Sequence, residues 1–175
     1  MDEMGIRVLD DKTIGRIAAG EVIERPGSVV KELVENALDA GAGRIEVEVR
    51  GGGISLIRVT DNGSGIPANE VDAAFRRHAT SKLSSFNDLL SIGSLGFRGE
   101  ALPSIAAVAE VEMLTRIDEE STATHIVLAE GKVTDNKKQA RSRGTTITVR
   151  NLFQRVPARL KFLKSVATEN SRIAG

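Results

Sequence analysis

Glu32, Asn36 and Asp39 recur at intervals of four and three residues in the run Lys31-Glu32-Leu33-Val34-Glu35-Asn36-Ala37-Leu38-Asp39-Ala40-Gly41. At about 100° per residue they fall within about 60° of one another around a helix, so one face presents a carboxylate, an amide and a second carboxylate. Hard cations such as magnesium take oxygen ligands, often only one or two from protein, and the Asn36 amide can supply one of them. Glu32, one turn earlier, can polarise a water. The alternative is the solvated face of an amphipathic helix, and the triplet alone does not exclude it. Thr60-Asp61-Asn62-Gly63-Ser64-Gly65-Ile66-Pro67 follows a strand, and its glycines permit a turn that other residues resist. Asp61 is then an acceptor fixed at a strand end beside small residues, suited to the exocyclic amino group of adenine and not to the carbonyl of guanine. Gly93, Gly96 and Gly99 stand three apart directly before a helix. Backbone N–H groups freed of side chains at a helix N-terminus make an anion site for phosphates. The loop lacks the Gly-Lys-Ser/Thr ending of a P-loop. Lys82 offers a mobile positive charge or is a plain surface lysine, and His78 reads as a packed or solvated histidine.

These residues need elements to hold them. Ile14, Ile17, Ala18, Val22 and Ile23 recur at helical spacing from Lys12 to Arg25, and Pro26 ends that pattern. A second helix follows, with Ser28 as its expected N-cap, Val30, Leu33, Val34 and Ala37 as its apolar stripe and Gly41 as its stop. Arg44 to Arg50 and Ile54 to Thr60 alternate about Gly51-Gly52-Gly53, an antiparallel hairpin. A short helix is expected from Asn69 to Arg77, a polar, glycine-rich stretch from His78 to Glu100, and a small-residue helix from Glu100 to Ala107. Further strands are expected at Val111 to Arg116, Thr124 to Ala129 and Thr145 to Val149, and a basic helix at Ala158 to Lys164. This order predicts an α+β fold, a two-layer sandwich of a mixed, largely antiparallel sheet with helices on one face.

The chain has 175 residues, 41% hydrophobic and 27% charged, with 17 glycines and no cysteine. This composition predicts one globular domain and excludes disulfides, thiol catalysis and cysteine zinc sites. No apolar run approaches the roughly 20 residues a membrane helix needs, and the acidic start lacks a signal peptide's apolar stretch, so a cytoplasmic protein with no membrane partner is expected. The net charge of zero is unevenly spread: residues 137–175 hold ten Lys or Arg against the single acid Glu169, leaving the first 136 residues at minus nine. Such asymmetry is the footprint of a surface that meets polyanions, DNA foremost, or of a solvated face.

Taken together the motifs resemble the GHKL ATPase superfamily with its Bergerat nucleotide fold, and within it the MutL family of DNA mismatch repair proteins. The matching text is Arg16-Ile17-Ala18-Ala19-Gly20-Glu21-Val22-Ile23, Lys31 to Gly41, Asp61-Asn62-Gly63-Ser64-Gly65-Ile66, His78-Ala79-Thr80-Ser81-Lys82, Leu95-Gly96-Phe97-Arg98-Gly99-Glu100-Ala101-Leu102 and Gly144-Thr145-Thr146. The two long blocks, Arg16 to Ile23 and Lys31 to Gly41, set MutL apart from type II topoisomerase ATPase subunits, sensor histidine kinases and the large heat-shock chaperone.

The resemblance implies that Glu32 is the general base for the attacking water and that Asn36 coordinates magnesium bridging the phosphates of ATP. It implies nucleotide contacts from Asn36, Asp39, Asp61, Gly65, Thr80 and Lys82. Asp61 reads the adenine amino group, with Thr145 and Thr146 supporting it through water. A lid from about His78 to Leu102 closes over the triphosphate, with Gly96, Phe97, Arg98, Gly99, Glu100, Ala101 and Leu102 around the phosphate oxygens. The implied activity is a slow ATP hydrolase in which ATP orders the lid and favours dimerisation of N-terminal domains. The implied partners are DNA, a mismatch-recognition protein, a repair helicase and a strand-incising nuclease. Arg155, Arg159, Lys161 and Lys164 are the expected DNA contacts, mainly to phosphates. Residues 1–175 are expected to form one GHKL-type ATP-binding domain, a fragment lacking a second N-terminal subdomain and a C-terminal dimerisation domain that makes the full protein a homodimer. The segment from Leu152 to Arg159 departs from the family's tyrosine-asparagine wording before Pro157-Ala158-Arg159. Two other readings stay open: a nucleotide-gated binding module without turnover, and another GHKL ATPase such as a topoisomerase ATPase region.

Overall fold

The computed structural model describes residues 25–75, 101–154, 156 and 173. Helix α1 spans Pro26–Asp39. It begins before Ser28, the expected N-cap: Arg25 is the extended cap residue, Pro26 opens the helix, and the Ser28 N–H bonds to the Arg25 carbonyl at 2.9 Å. Proline suits that first position, because its φ is already helical and the N–H it lacks would have no intrahelical acceptor. The same residue read alone signals a stop. At the other end Gly41 takes a φ of +73°. Its N–H bonds to the Leu38 carbonyl at 3.0 Å and that of Ala42 to the Ala37 carbonyl at 3.2 Å, closing the helix as a Schellman turn.

A hairpin follows, β1 (Ile45–Arg50) and β2 (Leu56–Asp61), joined through a tight turn at Gly51–Gly53. The expected helix around Asn69 is a 3-10 turn at Ala68–Glu70 running into α2, Val71–Ala74. Helix α3, Ala101–Val108, precedes β3 (Glu110–Arg116), β4 (Ala123–Ala129), β5 (Lys132–Gln139) and β6 (Gly144–Arg150). The strands form one six-stranded sheet in the order β1-β2-β6-β3-β4-β5. Every pair is antiparallel. The sheet is thus antiparallel rather than mixed, because β2 and β3, which run in the same direction, never pair: β6 lies between them.

The register puts Ile57, Val59, Val111, Met113, Ile126, Leu128, Ile147 and Val149 on one face, where they pack with Val29 and Leu33 of α1, Val71 of α2, Ile105 of α3 and Phe153. Burying each of the large side chains contributes about 1.5–3 kcal/mol. The opposite face carries cross-strand polar pairs. Arg58 bonds to Glu48 at 3.0 Å and to Thr148 at 3.1 Å, and His125 meets Glu112 at 3.0 Å. The sandwich is therefore two-layered, with helices on one face of the sheet. Strand β5 falls outside the expected strands: all its residues are exposed, so no apolar alternation marks it, and its pairing with β4 attaches it to the sheet. The expected helix from Lys12, the stretch from His78 to Glu100 and the basic helix from Ala158 lie outside the described residues. Among the described residues no helix is long and apolar enough to cross a membrane.

Candidate functional site

Helix α1 and the turn after β2 meet at one corner. The Ser64 N–H bonds to the Ala40 carbonyl at 2.9 Å, just past the last residue of α1. A Cβ on Gly63 would lie 2.8 Å from both the Cβ and the carbonyl oxygen of Ala40, so only glycine allows this approach. Asn62 ties the same turn to the segment leading into β1: its Oδ1 accepts the N–H groups of Gly43 at 2.8 Å and Arg44 at 2.9 Å. Gly65 takes a φ of +79°, and a Cβ there would fall 2.1 Å from the Arg116 carbonyl oxygen at the end of β3. The turn from Asp61 to Gly65 is thereby clamped between α1 and β3.

Along α1 the predicted residues differ in depth. Glu32 is 7% exposed, Asn36 is half-buried and Asp39 is exposed. The solvated-face reading therefore fails for Glu32. The helix continues past Glu32 for about 10 Å along its axis before it reaches Asp39 beside the corner.

Asp61 is the last residue of β2 and is 9% exposed. Its Oδ1 accepts the Gly63 N–H at 2.8 Å. Burial pushes its carboxyl above the usual carboxylate value, while the N–H groups of Gly63 and Thr145 and the charge of Arg141 pull the other way. Thr145 stands opposite Asp61 in the register, and Thr115 opposite Thr145, so all three side chains share the helix-covered face. The Thr145 and Thr115 hydroxyls share a hydrogen bond of 2.7 Å, and Thr115 Oγ1 also accepts the Ile66 N–H at 2.9 Å. Thr146 does not join them. Strand alternation puts it on the opposite face, where its hydroxyl donates to Thr60 Oγ1 at 3.3 Å and accepts from Arg141 at 3.0 Å. The expected Thr145–Thr146 pair is thus split, and Thr115 takes the neighbouring place on the Asp61 face.

Ala101 and Leu102 form the first turn of α3, Ala101 buried and Leu102 packed against the core. Thr80, Lys82, Gly96, Phe97, Arg98, Gly99 and Glu100 lie outside the described residues, as do Arg155, Arg159, Lys161 and Lys164. Sequence reasoning missed Thr115 and Arg141. Each comes from a distant part of the chain: the strand register aligns Thr115 with Thr145 and Asp61, and the Arg141 side chain donates to the Asp61 carbonyl and Thr146.

A buried acceptor at a glycine-lined turn, reached by a helix bearing a buried carboxylate and an amide, can receive the amino edge of a flat base and a hard cation along one helix. The model of the histidine kinase-, DNA gyrase B- and HSP90-like ATPases matches residues 24–157. The chain belongs to this ATPase family. Within the family this ATPase domain is similar to MutL: the DNA mismatch repair protein MutL of Agathobacter rectalis is 56% identical over 169 residues, 97% of this chain and 26% of that protein. The MutL of Acidobacterium capsulatum is 55% identical over 169 residues, 97% of this chain and 25% of that protein. The chain thus spans about a quarter of the length of these relatives. Among solved structures, the Aquifex aeolicus MutL ATPase domain complexed with ADP superposes with a TM-score of 0.69 at 35% identity, over 87% of this chain and 53% of that one. The N-terminal domain of a DNA repair protein gives a TM-score of 0.75 at 33% identity, over 95% of this chain and 48% of that one. The MutL resemblance and the α+β fold read from the motifs are borne out.

Proposed function

We propose that this ATPase domain binds ATP with magnesium and hydrolyses it slowly as a nucleotide switch in DNA mismatch repair. The observation that carries the reading is Asp61: a buried carboxylate, fixed by the Gly63 N–H at a strand end and walled by glycines, matches the amino group of adenine and repels the carbonyl oxygen that guanine has at that position. The solved relative complexed with ADP supports it.

From that corner α1 leads back to Asn36 and then to Glu32 at the middle of the helix, which supports a reading with adenine by the helix C-terminus and the phosphates one to two turns earlier. Glu32, itself buried, takes the proton of a water as its oxygen attacks the terminal phosphorus and the bond to the ADP oxygen breaks. Asn36 fits a hard cation through its amide oxygen. Among the described residues no group of three or more His, Asp or Glu could hold a metal by itself, so magnesium at Asn36 would share its remaining positions with phosphate and water, neutralising phosphate charge when bound. Thr145, with Thr115 beside it, backs the Asp61 carboxylate, and Asp39 and Gly65 border the corner.

The roles of Thr80, Lys82 and Gly96 to Leu102 around the phosphates belong to the same proposal, as do ATP-driven dimerisation and release on hydrolysis. So do DNA contact through Arg155, Arg159, Lys161 and Lys164, the relay between mismatch-recognition protein, helicase and nuclease, and action in the cytoplasm.

Phosphate release and ATP binding measured side by side test the reading. The Glu32→Ala chain is expected to lose turnover while holding ATP within about threefold of the unaltered affinity, since a base acts in the transition state and not in the ground state. Turnover that survives Glu32→Ala overturns the assignment of the base.

A further inference from the structure

Strand β2 ends where the turn to Gly65 begins, and two arginines meet its backbone there. Asp61 is the last strand residue and Asn62 the first of the turn. Both carbonyls receive an arginine donor from one connection, the segment between β5 and β6: Arg141 Nη2 donates to the Asp61 oxygen at 3.3 Å and Arg143 Nη2 to the Asn62 oxygen at 3.2 Å. The Arg141 fork is itself held in place, with Nη2 donating to Thr146 Oγ1 at 3.0 Å and Nη1 to the Ser142 carbonyl at 3.0 Å. Thr146 bonds onward to Thr60 at 3.3 Å, so the fork is keyed to β2 and β6 together. A Cβ on Gly144 would fall 2.1 Å from the Asp61 oxygen and 2.9 Å from Arg141 Nη1, which shows how closely the connection is pressed against the turn. Arg143 is anchored in turn to Asp118 at 3.2 Å.

We propose that Arg141 is a positioning residue for base recognition, its planar fork gripping the Asp61 main chain from the outer face of the sheet so that the carboxylate on the inner face is aimed at the adenine amino group. This rests on the reading of Asp61 as the adenine acceptor. Arg141 acts only through Asp61, because the fork meets Thr146 on the face that strand alternation sets opposite the Asp61 side chain. An arginine suits the task where a lysine would not: its donors diverge in one rigid plane and can bind a carbonyl, a hydroxyl and a second carbonyl at once. The attraction between the two charges also opposes the effect of burial on each.

The test uses two ligands, ADP and the diphosphate of purine riboside, which lacks the exocyclic amino group. A site that hydrogen-bonds that group should prefer ADP, and a loosened acceptor should lose the preference. Calorimetry on the whole chain is expected to show that Arg141→Gln binds ADP about five- to tenfold more weakly and the purine analogue almost unchanged, with Arg141→Lys between the two. Thermal unfolding is followed on each variant, and if Arg141→Gln does not fold, Arg141→Lys carries the same comparison with a smaller shift. An equal loss for both ligands makes Arg141 a merely structural residue and overturns the proposal, as does an unchanged preference. Asp61→Ala separates this failure from that of the underlying reading: a preference abolished by Asp61→Ala but untouched at Arg141 defeats only the arginine's role. A preference that survives Asp61→Ala, or a folded chain that binds no ADP, defeats both.

Discussion

The two regions that build the candidate site are made differently. On α1 the chemistry depends on helical periodicity alone: Glu32, Asn36 and Asp39 are placed by turns of one helix whose other residues, Val29, Val30, Leu33 and Ala37, are buried in the core. At the end of β2 the chemistry depends on convergence. Asp61 is held by a turn that three separate parts of the chain clamp: Ala40 past α1, Thr115 and Arg116 on β3, and Arg141 before β6. On the proposed reading, turnover and base selection rest on different devices, so each is expected to be removable without the other. A side chain lost from the helix face leaves the helix standing. A glycine lost from the turn disturbs every element that meets there.

The sharpest way to separate the two regions is Glu32→Ala, where turnover is expected to fall by about 10²–10⁴ while nucleotide affinity stays near its original value. Phosphate release against calorimetric affinity reads this directly, and a matched fall in both would erase the distinction. Next in size is Gly65→Ala, which combines a left-handed backbone with a Cβ 2.1 Å from the Arg116 carbonyl oxygen. A stability loss of about 3 kcal/mol or more is expected, with loss of ADP binding, and denaturant unfolding measures it. A Gly65→Ala chain as stable as the original would show that the turn is not clamped.

Asp61→Asn is expected to weaken ADP by about tenfold or more, the loss of a charge-assisted acceptor, and yet to stabilise the nucleotide-free chain at neutral pH. The sign follows from linkage. The folded carboxyl is held above its unfolded value, so its stability contribution is complete below the unfolded value and is lost as pH rises through the folded one. The advantage of the asparagine should therefore be absent below about pH 4 and widen toward neutrality, which melting curves over that range would reveal. A constant advantage would mean that Asp61 is not strained by burial. Smallest is Thr145→Val, which removes the 2.7 Å partner of the Thr115 hydroxyl and is expected to lower stability by about 1 kcal/mol with a modest loss of ADP affinity.

The devices also differ in how far the sequence exposes them. Helix α1 is readable because its apolar residues repeat at the helical period and Gly41 closes it, and the turn is readable because its glycines stand where positive φ and close approach demand them. Pro26 marks a boundary but not its cap: the same ring that stops a helix also starts one, so α1 begins there and not after Ser28. The burial of Glu32 is hidden, since periodicity marks the apolar stripe but not what covers its margin. Strand β5 carries no alternation, being an edge exposed on both faces, and so leaves no pattern to read. Thr115 and Arg141 cannot be found by spacing at all. Arg141 reaches a carbonyl 80 residues away in sequence, and only the order of strands brings them together.

Adenine selection at Asp61 is tested by titration of the folded chain with ADP and GDP in parallel, repeated on Asp61→Asn. ADP is expected to bind, GDP not to bind measurably, and the asparagine variant to lose most of its hold on ADP. Equal binding of ADP and GDP, or a preference for ADP that Asp61→Asn leaves intact, would contradict it.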